Sequence, residues 1–171
     1  QIPHAFFQEQ CAKIGIQLPE AGRYAAGNVF LPKGKDANQG QEIMESSVLA
    51  EGLELLGWRD VPVDNTTIGK RARSVEPVIK QIFIGAPADV KDQLAFERRL
   101  YCVRKRSAWG VRRAGLNDNN ENFYICSLSS KTLIYKGQLM APQLESYYLD
   151  IKDQKMTSAL ALAHSRYSTN T

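Results

Sequence analysis

The chain has 171 residues, with 22 Lys and Arg against 18 Asp and Glu, which gives a formal net charge of +4. Hydrophobic residues make up 43% of it and charged residues 23%, close to globular averages, which argues against a collagen, a coiled coil or a wholly disordered chain. A chain of this length buries roughly 70% of its unfolded surface, so one compact domain needs neither disulfides nor a structural metal.

The three cysteines, Cys11, Cys102 and Cys126, are odd in number and widely spaced. This pattern fits neither a disulfide framework nor a paired-cysteine metal site, and it predicts reduced, mostly buried thiols. No stretch reaches the ~18 uncharged apolar residues of a membrane span, and the first residues do not resemble a secretory signal peptide. We therefore expect a reducing, cytosol-like compartment and no membrane partner.

The first elements in the chain are a helix and a strand. Phe7, Cys11 and Ile14 recur at helical spacing and predict a helix over residues 3–14. Residues 23–31 alternate small and large side chains and end before a proline, which predicts a half-buried strand.

A loop to residue 40 is expected next, and then a long helix over residues 41–56. Gly57 follows it as a C-terminal cap would. Residues 58–63 should be short and extended, and the β-branched and aromatic residues 78–84 predict a strand. The apolar positions of the long helix recur every three to four residues: Met44, Val48, Leu49, Leu53, Leu55 and Leu56.

A second long amphipathic helix is predicted over residues 89–111. Its apolar stripe contains Val90, Leu94, Tyr101 and Ala108, widened by Phe96, Leu100 and Val103. The pattern places Cys102 on the apolar side, as a core thiol. Seven cations fall within 16 residues, namely Arg98, Arg99, Arg104, Lys105, Arg106, Arg112 and Arg113.

These cations could neutralise phosphates, but a solvated face or an interface with another domain is the better interpretation. The net charge is only +4, and no aromatic ladder accompanies the cations as single-strand binding would require. No nucleic-acid partner is therefore expected.

The last third of the chain predicts an exposed loop over residues 117–122 and a hairpin of residues 123–128 and 132–136. A short helix should run from residue 142 to 148. Residues 156–169 alternate alanine with larger side chains, which predicts a final strand. Interleaved helices and strands of this kind indicate an α+β or layered sandwich domain.

Few residues carry an obvious chemistry. His4 and His164 form no metal-ligand pattern, no glycine-rich phosphate loop occurs, and no metal site is expected. The strongest signal is Arg166, which follows the predicted final strand and precedes several small polar residues. A guanidinium can hold a carboxylate through two parallel hydrogen bonds, although an ordinary surface ion pair would explain the residue equally well.

Residues 164–171 (HSRYSTNT) resemble the His-x-Arg-[Tyr/Phe]-Ser-Thr stretch of class II glutamine amidotransferases. Five further runs resemble, in the same order and at similar spacing, the large subunit of glutamate synthases, so the resemblance covers nearly the whole chain. These runs are residues 57–62 (GWRDVP), 81–84 (QIFI), 97–100 (ERRL), 123–129 (FYICSLS) and 134–137 (IYKG).

The resemblance implies an N-terminal-nucleophile hydrolase fold, a four-layer αββα sandwich of which this chain would be an incomplete part. It implies hydrolysis of L-glutamine and transfer of its ammonia to 2-oxoglutarate, with reduction to a second glutamate. No cofactor is implied in this segment; FMN and an iron–sulfur cluster would lie on other domains, and electrons would come from NADPH or ferredoxin, or through a small electron-transfer subunit. The compartment would be the cytoplasm, or the plastid stroma in a photosynthetic eukaryote.

By the same resemblance, Arg166 matches the arginine that binds the α-carboxylate of glutamine. Thr169 matches a position that helps line that pocket. His164, Ser168 and Asn170 belong to the motif and would have supporting roles.

The family's nucleophile is a cysteine at the mature N-terminus, whose α-amino group serves as the base. Position 1 here is Gln1, and Cys11 lies within a predicted helix, so it is not assigned that role. The family's oxyanion Asn-Gly pair and its substrate-binding Asp would lie beyond residue 171. We therefore expect residues 1–171 to be part of a single glutaminase domain, truncated at both ends and inactive alone. The alternative is a non-catalytic binding or structural module of the same fold.

Overall fold

The computed structural model describes residues 2–116 and 123–164. Its centre is a four-stranded sheet in which every neighbouring pair of strands is antiparallel. The strand order is β2-β3-β1-β4. The strands are β1 (Tyr24–Leu31), β2 (Glu54–Asp60), β3 (Val78–Gly85) and β4 (Tyr124–Ile125).

Helices connect and cover the strands, which confirms the predicted α+β class. The described residues contain one sheet of the two that a complete four-layer sandwich would have. Among them, no helix has the length and apolar character needed to cross a membrane. The helices are α1 (His4–Ala12), α2 (Lys35–Ala50), α3 (Lys70–Ser74), α4 (Gln93–Arg113) and α5 (Ala141–Tyr147), with short 3-10 turns at Asn65–Thr67 and Leu149–Lys152.

The sheet is covered on both faces. Helices α2 and α4 pack on the first face against alternate residues of β1 and β3, such as Val29 and Ile82. On the second face, Phe83 packs with α1, while Ile79 packs with Tyr148 in a separate cluster. The strand β1 is therefore buried at nearly every position rather than half-buried as predicted, because side chains on both sides of it meet apolar partners.

The predictions for α1, β3 and α5 are confirmed, but the long helix predicted over residues 41–56 is wrong at both ends. Helix α2 starts at Lys35 and ends at Ala50, and β2 begins at Glu54. Gly52, with φ of 65°, terminates the helix. Gly57 is not a cap: it lies in β2 at a bulge, where a Cβ atom would be 2.6 Å from Cδ1 of Ile16.

The predicted hairpin is also wrong. Strand β4 pairs with β1, and Ser129 forms a further bridge to Ala26. Residues 132–136 form no strand. In place of a neighbouring strand, side chains bind the backbone of this segment. Ile134 N donates to Ser127 Oγ, and Asn28 Nδ2 donates to Ile134 O.

The final predicted strand is absent over its described part, residues 156–164. Leu160 and Leu162 are 73% and 92% exposed, and this segment pairs with none of the four described strands. An alternating pattern forms a strand only where a neighbour completes the ladder. The rest of that prediction and the loop predicted over residues 117–122 lie outside the described residues.

Candidate functional site

The two predicted substrate-binding residues, Arg166 and Thr169, lie outside the described residues, as do Ser168 and Asn170 of the same motif. His164 is described and is exposed to solvent. The structure therefore shows how the chain approaches this motif rather than the motif itself.

The segment that leads to the motif is held against α1. Lys155 forms an ion pair with Glu9, which also pairs with Lys13 at 2.8 Å. Hydrogen bonds from Lys13 and Lys155 lower the pKa of Glu9 to about 2, so its carboxylate is ionised at neutral pH. Met156 packs on the apolar cluster of α1. The approach to residue 164 thus starts from a defined position on the second face of the sheet.

The same face carries a row of buried polar side chains across three strands. Gln81 of β3 lies opposite both Asn28 of β1 and Arg59 of β2 in the strand register. Gln81 Nε2 donates to Asn28 Oδ1 at 2.7 Å, and Arg59 Nη1 donates to Gln81 Oε1 at 3.1 Å. This row separates the two apolar clusters of the face.

Asp150, in the 3-10 turn Leu149–Lys152, binds the Arg59 end of this row. Its carboxylate accepts two hydrogen bonds from Arg59, at 2.6 and 2.8 Å, and a third from Tyr135 Oη at 2.9 Å. Arg59 also lies over the ring of Phe6, 5.4 Å from its centroid. Burial acts to lower the pKa of Arg59, but the hydrogen bonds and charge of Asp150 outweigh it and raise the pKa. The Arg59 guanidinium therefore keeps its charge inside the protein.

A second polar cluster lies where α4 meets the segment after β4. The carboxylate of Glu97 accepts hydrogen bonds from the hydroxyls of Ser129 and Ser130, and from the Ser130 N–H at 2.7 Å. Gln93 donates to the Ser130 hydroxyl at 3.2 Å. These bonds fix the irregular chain after β4 to the first turns of α4.

The two clusters bring together the runs that carry the family resemblance. Residues 57–62, 81–84 and 134–137 supply Arg59, Gln81 and Tyr135 to the first cluster. Residues 97–100 and 123–129 meet through Glu97 and Ser129 in the second. Sequence reasoning missed both clusters, although polar residues at inward positions of apolar strands were the available signal.

The cysteines only partly follow the prediction of buried thiols. Cys11 and Cys126 are buried, as predicted, and burial raises their pKa to about 11 and about 12. Cys102 is exposed, so its assignment as a core thiol is wrong. The buried stripe of α4 lies on the opposite side of the helix, at Phe96, Leu100, Val103, Ser107 and Val111.

Three cations of the basic helix bind within the chain. Arg99 pairs with Asp89 at 2.8 Å and Arg106 with Glu51 at 2.9 Å. Arg104 donates to the carbonyl of Ile125 in β4. These contacts attach α4 to the residues around it.

Among the cavities on the described surface, two are well formed, and the described residues that line these two include no cysteine. The first, of about 340 Å³, is mainly apolar, and its Glu76 accepts hydrogen bonds from Tyr147 and Asn65. The second, of about 610 Å³, is lined about equally by polar and apolar groups, and its Arg23 is bonded to main-chain carbonyls. No group of three His, Cys, Asp or Glu within residues 2–116 and 123–164 is placed to hold a metal ion.

Comparison with known proteins places these features in a family. Residues 1–171 match the family model described as glutamine amidotransferases class-II. The chain is 45% identical to the glutamate synthase [NADPH] large chain of Bacillus subtilis and 40% identical to that of Azospirillum brasilense, over 100% and 99% of its length. It is 37% identical to the chloroplastic ferredoxin-dependent glutamate synthase of Oryza sativa, over 99% of its length. The chain spans 11%, 11% and 10% of these relatives.

Proposed function

Because the chain belongs to the class II glutamine amidotransferases, we propose that it is part of the glutamine-hydrolysing domain of a glutamate synthase. The observation that carries the proposal is the similarity to glutamate synthases over the whole chain. We propose that residues 1–171 form part of a single glutaminase domain that continues on both sides, and the small share of each relative that the chain spans is compatible with this.

In the proposed reaction, glutamine is hydrolysed to glutamate and ammonia, and the ammonia condenses with 2-oxoglutarate. Two electrons and two protons then reduce the resulting imine to a second glutamate. The electrons would reach the imine through FMN and an iron–sulfur cluster on other domains. Their donor would be NADPH, through a small electron-transfer subunit, or ferredoxin. The reaction would take place in the cytoplasm or the plastid stroma.

Within this scheme Arg166 binds the α-carboxylate of glutamine, and Thr169 lines the same pocket. His164, Ser168 and Asn170 support them. The planar guanidinium suits this role because it forms two parallel hydrogen bonds with a carboxylate and stays charged at all physiological pH values. The attachment of Lys155 and Met156 to α1 would fix the start of the segment that presents Arg166.

The nucleophile of this scheme comes from outside residues 1–171. Burial raises the pKa of Cys11 to about 11 and that of Cys126 to about 12, so both thiols are protonated and unreactive at neutral pH. Cys102 is exposed on a helix surface. The free α-amine that serves as the base in this family would likewise be supplied by another part of the domain.

Substitution of Arg166 in the intact protein tests the proposal. Loss of a bidentate charged contact should lower kcat/KM for glutamine by roughly 100-fold in Arg166→Ala, chiefly through KM, with a smaller loss in Arg166→Lys. The glutamate-forming rate with ammonia supplied directly should be unchanged, because that reaction bypasses the glutamine pocket. The measurement is initial rate against glutamine concentration.

Arg71→Ala provides the matched control, since Arg71 is an exposed arginine on the short helix α3. It should leave both rates unchanged. An Arg166→Ala protein with the wild-type kcat/KM for glutamine would refute the assignment of the carboxylate site. An intact protein that hydrolyses no glutamine at all would instead support the non-catalytic module.

A further inference from the structure

Helix α4 carries a second organised surface opposite its buried stripe. At 3.6 residues per turn, the buried positions centre on one side of the helix, and about 180° away lies a continuous exposed strip. We call it the outer face of α4. It consists of Leu94, Arg98, Tyr101, Cys102, Lys105, Trp109, Arg112 and Arg113, all of them exposed.

The outer face exposes large apolar side chains. Leu94, Tyr101 and Trp109 are 52%, 59% and 58% exposed, although isolated surface helices normally present polar groups there. The two aromatic rings each lie against a cation four residues further along the helix. Lys105 lies 5.5 Å from the centroid of the Tyr101 ring, and Arg113 lies 4.6 Å from that of Trp109. The rings and cations therefore form one ordered surface.

The outer face has no acidic residue to balance its charge. Among the described residues, three carboxylates on or near α4 are engaged at its flanks: Asp89 pairs with Arg99, Glu51 pairs with Arg106, and Glu97 accepts hydrogen bonds from Ser129 and Ser130. Within residues 2–116 and 123–164, neither Arg98 nor Lys105 of the outer face has an ion-pair partner at 4 Å or less. Four cations with exposed rings between them complement a surface that is acidic and partly apolar.

We infer that the outer face of α4 is a docking site within the intact protein, for an acidic surface outside residues 1–171 that has an apolar groove for Tyr101 and Trp109. Aromatic and arginine side chains are the residues that most often anchor protein interfaces. A second copy of this face is disfavoured, because it would bring like charges together. Phosphate binding would explain the cations but not Leu94, and therefore a nucleic acid fits less well. This inference is independent of the proposed function.

Cys102 lies within the outer face and reports directly on whether it is covered. In the intact protein at low salt, we expect a small uncharged maleimide to modify Cys102 at least about tenfold more slowly than in the triple variant Arg98→Glu/Lys105→Glu/Arg112→Glu, because charge reversal weakens complementary docking. The rate is read by peptide mass spectrometry. Absence of label on buried Cys11 and Cys126 verifies that each variant is folded.

The matched control is Lys70→Glu/Arg71→Glu, which reverses two exposed cations on α3 and should leave the Cys102 rate unchanged. A photo-cross-linker attached to Cys102 should capture a peptide rich in Asp and Glu. Replacing those acids by Lys should restore protection in the triple variant. Equal Cys102 rates in the wild type and the triple variant would overturn the inference. Protection that disappears on nuclease treatment would also overturn it, in favour of a nucleic acid.

Discussion

The carboxylate of Asp150 shows how a single buried charge fixes the second face of the sheet. Asp150 and Arg59 are 3% and 8% exposed, so neither is solvated to a useful extent. Their two-point contact and the hydrogen bond from Tyr135 replace the lost water. A buried pair of this kind adds little net stability compared with apolar residues, but it is costly to break from one side.

Replacement of Asp150 by Asn should therefore be strongly destabilising, by about 3–5 kcal/mol, because it leaves the Arg59 charge buried and unpaired. In the Asp150→Asn protein, we therefore expect the backbone amide hydrogens of β2 and of the turn Leu149–Lys152 to exchange at least roughly 100-fold faster. The double variant Arg59→Met/Asp150→Leu should lose less stability than Asp150→Asn. Hydrogen exchange of the intact protein, read peptide by peptide, measures both.

Asp60→Asn is the matched control for this prediction. Asp60 is next to Arg59 and pairs with Lys80 at 3.1 Å, but its side chain is 78% exposed. An exposed pair contributes about 0–1 kcal/mol, so exchange in β2 should hardly change. If Asp150→Asn and Asp60→Asn gave the same exchange rates, the buried charge would not be what holds this face together.

At the scale of an element, α4 shows what periodicity predicts and where it fails. The existence of the helix and its basic character follow from the sequence, but its orientation does not, because apolar residues lie on two opposite sides. The pattern predicts core positions for Leu94, Tyr101 and Ala108, but all three are exposed. The side that packs against α2 includes Ser107, a polar residue that obscures the true stripe.

The boundary between α2 and β2 fails for a related reason. Leu53, Leu55 and Leu56 continue the helical period past Ala50, so the pattern alone extends the helix into the strand. The helix ends because Gly52 adopts a positive φ, which the hydrophobic periodicity of the sequence does not reveal. For the row of buried polar side chains, inward polar positions in apolar strands signal buried groups, but they do not identify the partners, because Asn28, Gln81 and Arg59 meet only through strand register. The substrate-site predictions, Arg166 and Thr169, remain predictions.

Ser107→Ala should stabilise the packing of α4 on the sheet. The Ser107 hydroxyl is buried and has no hydrogen-bond partner among the described residues, so its removal relieves an uncompensated desolvation cost. Alanine is also the better helix former. We expect a gain of about 1 kcal/mol, or roughly 2–4 °C in the melting temperature of a protein of this size, measured by calorimetry.

Ser47→Ala on α2 is the corresponding control, since Ser47 is equally buried but donates to the carbonyl of Ile43 at 2.8 Å. That substitution removes a satisfied hydroxyl and should gain less. A melting temperature that falls in Ser107→Ala while Ser47→Ala is unchanged would mean that the Ser107 hydroxyl has a partner after all.

At the scale of the whole molecule, the family resemblance is concentrated in the framework of the sheet. Three of the resembling runs meet around Asp150 and two around Glu97, so hydrogen bonds join segments that are far apart in sequence. After Asp150 the chain leaves this framework and reaches Lys155, which forms an ion pair with Glu9 of α1. The framework therefore sets the starting point from which the Arg166 segment departs.

Because residues 1–171 supply this framework and, in the proposed scheme, not the nucleophile, we predict that they release no ammonia from glutamine on their own. Burial raises the pKa of Cys11 to about 11 and that of Cys126 to about 12, and Cys102 lies on the outer face of α4 and lines neither cavity. With saturating glutamine, ammonia production by the chain should equal that of a heat-denatured control.

In the intact protein, Cys11→Ala/Cys102→Ser/Cys126→Ala should keep glutamine hydrolysis, because none of the three thiols attacks the substrate. Turnover by the chain alone, or loss of hydrolysis in the triple variant with the ammonia-driven rate preserved, would place the nucleophile inside this segment.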